Sequence, residues 1–263
     1  VMWSLNVVPE CGPGMWSRTV VPYCGPGMWS RNVVPECGPA LWSRDVVPVW
    51  GPVVWSRCVG PWCGAAVWAD HVAAQHAFSG RRLLEAGAIV SGKTNLTEFA
   101  VDLPGPQYGW ARNPWDLARI PGFSSSGSGA SLAAGVGFAT MGTDTGGSIR
   151  IPAAFSSCVG IKPTYGRVSR QGIFPLAWSL DHAGPLTRTV RDAAIMLQVV
   201  AGYDPKDQTC ATVSVPSYTR GIGGGVKGLR IGLPGGQFDD SVNPGVRTLF
   251  DAAIPTLRDL GAR

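Results

Sequence analysis

Two serines, Ser124 and Ser148, lie in glycine- and serine-rich segments 24 positions apart, and their surroundings suit covalent catalysis. Ser148 follows a glycine pair within the run TDTGGSIRIPAA. Glycines at such a turn let backbone N–H groups approach a reacting carbonyl and stabilise the charge on its oxygen. A serine hydroxyl also needs a base within hydrogen-bond reach to act as a nucleophile. The residue types therefore indicate acyl transfer, with Ser148 as the candidate nucleophile.

The segments around both serines resemble the amidase signature family. Its members hydrolyse carboxamide C–N bonds and include the glutamine-hydrolysing A subunit of tRNA-dependent amidotransferases. The likeness begins near residue 80 and extends to about residue 260 as a long, ordered series of motifs. The motifs are PGFSSSGS at 121–128, GTDTGGSIR at 142–150, PAA at 152–154, GIKPTYGRVS at 160–169 and SLDHAGPLTRTVRDAAIMLQVVAGYDP at 179–205.

The resemblance implies a Ser-cisSer-Lys mechanism that passes through an acyl-enzyme. Ser148 would attack the amide carbonyl, and Ser124, preceded by a cis peptide bond, would relay its proton to an unprotonated lysine. Backbone N–H groups across the turn would meet the oxyanion. The oxyanion residues implied are Thr145, Gly146, Gly147 and Ser148, and the supporting residues are Ser125, Asp144 and Arg150. The family needs no metal or other cofactor, and none is expected here.

The lysine base is missing from this scheme. The family carries it in a K-D-N-like motif well upstream of the GKTN segment, whereas the lysines of this chain are Lys93, Lys162, Lys206 and Lys227. The resemblance assigns structural roles to Lys93 and Lys162. An arginine cannot substitute, because a guanidinium stays protonated and accepts no proton at neutral pH. From the family pattern we expect the chain to be a fragment that is incomplete at both ends, and we expect its hydrolysis to be crippled.

Composition and charge limit the cellular compartments and the partners that can be expected for this chain. The chain has 263 residues, 45% of them hydrophobic, which is enough to bury a core as one large domain. Its net charge of +5 is spread out, which argues against a nucleic-acid or membrane-surface role. It contains neither a long apolar run nor a signal-peptide pattern at 1–30. We expect a cytoplasmic protein with a small-molecule amide substrate, and both a homodimer and amidotransferase partner subunits stay open.

Residues 1–66 consist of five 13-residue tandem copies, beginning MWSLNVVPECGPG and MWSRTVVPYCGPG. Copying explains the regular spacing of Cys11, Cys24 and Cys37, and the segment holds neither a CxxC pair nor a Cys/His cluster. Prolines in every copy exclude a continuous helix. We expect no evolved fold here, with a structural or binding repeat as the alternative. Residues 67–263 hold the partial amidase signature domain.

Alternating helix and strand patterns in this domain predict an α/β fold. The resemblance specifies a mixed β-sheet flanked by helices on both faces. Thr189 with Asp192 indicates a capped first turn in the most amphipathic of the predicted helices. Helices are predicted at 69–86, 125–137, 148–157, 187–202 and 244–263, and strands at 88–92, 138–144 and 229–234.

A different function is suggested by GAIVSGKT at 87–94, which satisfies the phosphate-loop pattern G-x-x-x-x-G-K-[ST]. A true phosphate loop follows a buried strand and opens directly into a helix. Here the preceding residues are helix-like and the AIVS residues are themselves strand-like, so coincidence is favoured. Three hypotheses therefore stand: an amidase-type hydrolase, a non-catalytic binding derivative, and a nucleotide-binding protein.

Overall fold

The computed structural model describes residues 73–101, 109–234 and 242–263. They divide into two compact units, the first ending at Ser217 and the second comprising Tyr218–Arg263. The sequence pattern predicts one domain at 67–263 and gives no sign of this division. The tandem repeats predicted at 1–66 lie outside the described residues.

Both units contain regular secondary structure, and most of it surrounds the segments that carry Ser124 and Ser148. A short 3-10 helix at Glu98–Ala100 precedes the first of these segments. The elements of the first unit are α1 (Phe78–Glu85), α2 (Ser126–Ala133), β1 (Ala139–Asp144), α3 (Arg150–Phe155), β2 (Val159–Gly160), β3 (His182–Thr187) and α4 (Val190–Val200), and the second unit contains α5 (Pro244–Asp259).

The described strands form one sheet in the order β1-β3-β2. The central strand, β3, is antiparallel to both neighbours, and the β1 register runs from Ala139 opposite Thr187 to Asp144 opposite His182. The mixed sheet expected from the resemblance is therefore not formed among these strands, because β1 and β2 run in the same direction but are separated by β3. The register places the end of β1, where the Ser148 turn begins, beside the start of β3.

A small apolar core lies directly under the Ser148 turn. Leu132 of α2, Ala153 of α3 and Leu186 of β3 pack with Ile149, the residue that follows Ser148. Ile149 and Leu186 are fully buried. The cluster therefore anchors the turn to both adjoining helices and to the central strand.

The helix predictions are largely confirmed where the structure describes them. In α4 the Thr189 side chain accepts a hydrogen bond from the Asp192 amide at 3.1 Å, as the predicted cap requires. Ala193, Leu197 and Val200 face the interior. Pro152 is tolerated in α3 because it lies in the first turn. The helix predicted at 69–86 is shorter, since residues 73–77 are not helical and α1 begins at Phe78.

Two predicted strands are wrong. Residues 88–92 form no strand, and the Ile89 side chain is 64% exposed, because no neighbouring strand pairs with this short apolar run. Residues 229–234 also form no strand. Ile231 donates its amide to the Arg263 carbonyl at 2.7 Å, and Arg263 donates back to Leu229 at 2.8 Å. This bond pattern is that of a single parallel bridge.

The described helices include none with the length and apolar character needed to cross a membrane. Within the same residues, His, Cys, Asp and Glu side chains form no group of three or more suited to a metal ion.

Candidate acyl-transfer site

Ser124 lies in a tight turn at the entrance to α2. Gly122, at φ +89°, approaches Pro152 so closely that an added Cβ would lie 2.7 Å from its Cα. The Phe123–Ser124 peptide bond is cis, as the resemblance implies. Ser124 itself is only 1% exposed, and its carbonyl accepts a hydrogen bond from the Thr97 amide at 3.3 Å. The turn is therefore fixed from both sides, while the Phe123 side chain, 47% exposed, points outward.

Ser125 joins the two serine segments. Its amide donates to the Ser148 carbonyl at 3.3 Å. Its hydroxyl donates to the Thr143 carbonyl at 3.3 Å and accepts from the Thr143 amide at 3.2 Å. Both Thr143 groups lie on the β1 edge that no described strand pairs with. The Ser125 hydroxyl thus takes the place of a neighbouring strand and holds the Ser124 turn against β1 and Ser148.

Asp144 organises the turn that contains Ser148. Its fully buried carboxylate accepts from the amides of Gly147 at 2.8 Å and Ile149 at 3.1 Å. Arg150 adds a bidentate pair, with Nε and Nη2 at 3.0 and 2.9 Å. Burial by itself raises the pKa of Asp144, but the hydrogen bonds from Arg150 and from the two amides outweigh it and lower the pKa. Asp144 and Arg150 therefore fix the shape of the turn that contains Ser148.

The four residues that the resemblance assigns to an oxyanion hole do not have equivalent surroundings. Gly147 has φ +131°, a conformation that glycine permits, and its amide is engaged with Asp144. That N–H therefore stabilises the turn and cannot also point at an oxyanion in this conformation. Gly146 is exposed and Ser148 is half-buried, so their amides are the better candidates for oxyanion donors.

Asp181, which no sequence motif marked as a site residue, also supports the turn that contains Ser148. Its buried carboxylate accepts from the Thr145 hydroxyl at 2.5 Å and from the amides of Leu176 and Ala177 at 2.8 and 2.9 Å. Asp181 stands in the SLDHAG run, which contributes to the resemblance. Nothing in its spacing marks the carboxylate as a partner of Thr145, because the contact spans 36 positions and exists only in the folded chain.

Lys162 lies near this turn, but its amine has other partners. Nζ is 3.1 Å from Nε2 of His182 and 3.2 Å from the Pro163 carbonyl. The other ring nitrogen of His182 bonds the carbonyls of Asp144 and Leu180 at 3.2 and 2.5 Å. Lys162 and His182 therefore brace the end of β1, in agreement with the structural role that the resemblance assigns to Lys162.

Two buried hydroxyls beside the site have no hydrogen-bond partner within the described structure: Ser124 Oγ and Thr97 Oγ1. Buried polar groups are nearly always hydrogen-bonded, and an unpaired one lowers stability. The Thr97 amide bonds the Ser124 carbonyl, so the two residues are neighbours. The Ser124 hydroxyl, at the position to which the resemblance assigns the proton relay, is therefore buried without a partner among the described residues.

A matched pair of serines tests this interpretation. Ser124→Ala is expected to leave the free energy of unfolding unchanged or to raise it by about 1 kcal/mol, because it removes an unsatisfied buried hydroxyl. Ser128→Ala is expected to lower it by about 1–2 kcal/mol, because the Ser128 hydroxyl donates to the Met141 carbonyl at 3.0 Å. Urea denaturation of both variants measures the difference. An equal loss for both would mean that Ser124 has a structural partner.

The phosphate-loop interpretation does not fit the geometry of 87–94. Residues 88–96 are neither helix nor strand, and only the short 3-10 helix follows them. Residues 88–94 instead help to line a cavity of about 440 Å³, together with Ser125, Ser128 and Met141. The strand and the helix that would wrap a phosphate are both missing from this described segment.

Comparison with known proteins supports the same chemistry as the site geometry. The model of the amidase family matches residues 61–263. The chain belongs to the amidase family. It is 54% identical over 183 residues to the A subunit of the glutamyl-tRNA(Gln) amidotransferase of Geobacter metallireducens, covering 69% of this chain and 38% of that protein.

Solved amidase structures share the fold of the described residues. The A subunit of the glutamyl-tRNA(Gln) amidotransferase of Thermotoga maritima superposes with a TM-score of 0.72 at 40% identity, covering 76% of this chain and 45% of that one. The native peptide amidase of Stenotrophomonas maltophilia gives 0.69 at 36% identity, covering 83% and 45%. The chain thus spans less than half the length of these members of the amidase family.

Proposed function

We propose that this chain carries an amidase-type acyl-transfer site in which Ser148 is the nucleophile and Ser124 is the proton relay. The observation that carries the proposal is the 3.3 Å bond between the Ser125 amide and the Ser148 carbonyl, which holds the residue next to Ser124 against Ser148. The substrate class is a carboxamide, either a small free amide or glutamine. Membership of the amidase family supports this class.

The proposed reaction divides hydrolysis into two steps. Ser148 Oγ attacks the carbonyl carbon while its proton passes to Ser124, and the amides of Gly146 and Ser148 stabilise the oxyanion. The intermediate then expels the amine, which takes the proton that Ser148 gave up, and water hydrolyses the resulting ester, which releases the acid and restores the Ser148 hydroxyl. Ser124 can accept the proton only if it passes its own to a base. In this chain Lys162 is held by His182 and Pro163, so we propose that hydrolysis is impaired at this relay.

The amidotransferase relatives are, by name, components of a larger assembly. We extend this to the present chain as a proposal, in which the site hydrolyses glutamine for partner subunits that use the ammonia. A free small amide is the alternative substrate within the same mechanism.

Covalent labelling tests the nucleophile without requiring turnover. A fluorophosphonate forms a bond between Ser148 Oγ and phosphorus as the P–F bond breaks, fluoride leaves and the proton passes to solvent. We expect peptide mass spectrometry to place the adduct on Ser148, and Ser148→Ala to abolish it. Ser214→Ala, which changes an exposed serine outside the site, is the matched control and is expected to label normally. Labelling that persists in Ser148→Ala would overturn the proposal.

A further inference from the structure

The register of the sheet brings a hydroxyl and a carboxylate together at the start of the Ser148 turn. Asp144, the last residue of β1, lies opposite His182, the first residue of β3. Because the two strands are antiparallel, the residue after β1 and the residue before β3 also lie opposite each other. These residues are Thr145 and Asp181, and the Thr145 hydroxyl donates to the Asp181 carboxylate at 2.5 Å. This bond ties the first residue of the turn to the segment that enters β3.

Asp181 is itself held in place by the segment that precedes it. Its carboxylate accepts the amides of Leu176 and Ala177 at 2.8 and 2.9 Å, and its own amide donates to the Ala177 carbonyl at 2.9 Å. The residue is only 6% exposed, so water does not compete freely for these bonds. Thr145 is therefore bonded to an acceptor whose position is fixed independently of the turn.

The turn has a second fixed point two residues further on. The Gly147 amide donates to the buried Asp144 carboxylate at 2.8 Å. Gly146 lies between these two fixed points and is exposed. No atom beyond its chain neighbours lies within 4 Å of a Cβ added at Gly146. The proposed oxyanion donor is thus open to a reacting group, while the residue on each side of it is bonded to a different aspartate.

We infer that Thr145 and Asp181 are positioning residues of the oxyanion hole, and that the bond between their side chains fixes the orientation of the Gly146 amide. The inference rests on the proposed function. Donors that stabilise an oxyanion are effective because they are oriented before the charge develops. Without the bond, the start of the turn is free to rotate, and a displacement of about 1 Å at a reacting group can cost about 100-fold in rate.

Thr145→Val tests the bond, since valine keeps the shape of threonine and lacks its hydroxyl. The probe is a small alkyl fluorophosphonate, whose phosphoryl oxygen takes the place of the oxyanion. An O–P bond to Ser148 forms, the P–F bond breaks, fluoride leaves and the serine proton passes to solvent. We expect the labelling rate at saturating probe to fall about tenfold, while the half-saturating concentration stays unchanged. Thr145→Ser retains the hydroxyl and is expected to label within about twofold of the wild-type rate.

A second variant and a control separate positioning from stability. Asp181→Ala is expected to slow labelling about tenfold, but only about twofold or less in the Thr145→Val background, because both substitutions remove the same bond. Thr189→Val removes another threonine hydroxyl that bonds an aspartate, in the cap of α4, where the hydroxyl donates to Asp192 at 2.7 Å. It is expected to lower the urea midpoint and to leave the labelling rate unchanged.

The possible results distinguish the inference from the function on which it rests. Wild-type labelling by Thr145→Val or Asp181→Ala overturns the positioning of the turn and leaves the nucleophile in place. The same holds if Thr189→Val slows labelling as much as Thr145→Val does, or if Thr145→Ser labels as slowly as Thr145→Val. If the wild-type protein gives no adduct that depends on Ser148, the proposed function and the positioning both fail.

Discussion

The amide-hydrolysis rate of this 263-residue chain is expected to lie at least about 10⁴-fold below that of a hydrolase with a complete triad. The reason is the proton path. In the proposed mechanism Ser148 loses its proton through Ser124, and the Ser124 hydroxyl has no hydrogen-bond partner within the described structure. Catalysis that remains would come from the oxyanion donors and from substrate binding, because these do not depend on the base.

Turnover and labelling together separate the contribution of the nucleophile from that of the base. Steady-state hydrolysis of acetamide, benzamide and glutamine measures the turnover, and Ser148→Ala provides the background. A rate only slightly above that background, together with slow fluorophosphonate labelling that still depends on Ser148, is the expected combination. Rapid turnover that vanishes in Ser148→Ala would contradict it and would mean that another group of the chain accepts the proton from Ser124.

Asp144→Ala is expected to lower the free energy of unfolding by about 3 kcal/mol, the largest loss for a single substitution in the site. The substitution removes the acceptor for the buried amides of Gly147 and Ile149 and leaves Arg150 without its bidentate partner. Because the Arg150 side chain is 53% exposed, water replaces part of the lost ion pair, and the value lies at the low end for a broken buried pair.

The lowered pKa of Asp144 predicts that the free energy of unfolding depends on pH. The pKa of Asp144 is lower in the folded chain than in the unfolded chain, so the folded state binds fewer protons. Its contribution is present above about pH 4, near the unfolded pKa of an aspartate, and is lost as the pH falls through the folded value. We therefore expect the stability difference between the wild type and Asp144→Asn to be largest near pH 7 and to shrink below pH 4.

Asp116→Ala is the control for this test. It removes another carboxylate with a lowered pKa, which lies at the surface and pairs with Arg119. It is expected to change stability little, since exposed ion pairs contribute little. Urea denaturation from pH 7 to pH 3 measures both variants. A loss for Asp144→Ala no larger than that for Asp116→Ala would mean that Asp144 does not hold the turn.

Sequence patterns predicted the helices and strands that depend on residues only a few positions apart. The α4 cap follows from Thr189 and Asp192 three positions apart, and β1 follows from a short run ending at the glycine-rich turn. The strand predicted at 88–92 failed for the opposite reason. An apolar run becomes a strand only when a neighbour supplies its hydrogen bonds, and the sequence does not show whether that neighbour exists.

By itself the sequence determined the chemistry to be expected, because the serines, the glycine pair and the aspartate of the Ser148 turn lie within short motifs. Only the tertiary structure decided how these parts meet. Ser125 bonds Thr143 across 18 positions, and Asp181 bonds Thr145 across 36. Such contacts depend on strand register and on the packing of α2 against β1. The unpartnered Ser124 hydroxyl likewise becomes visible only in the folded chain, within the residues that the structure describes.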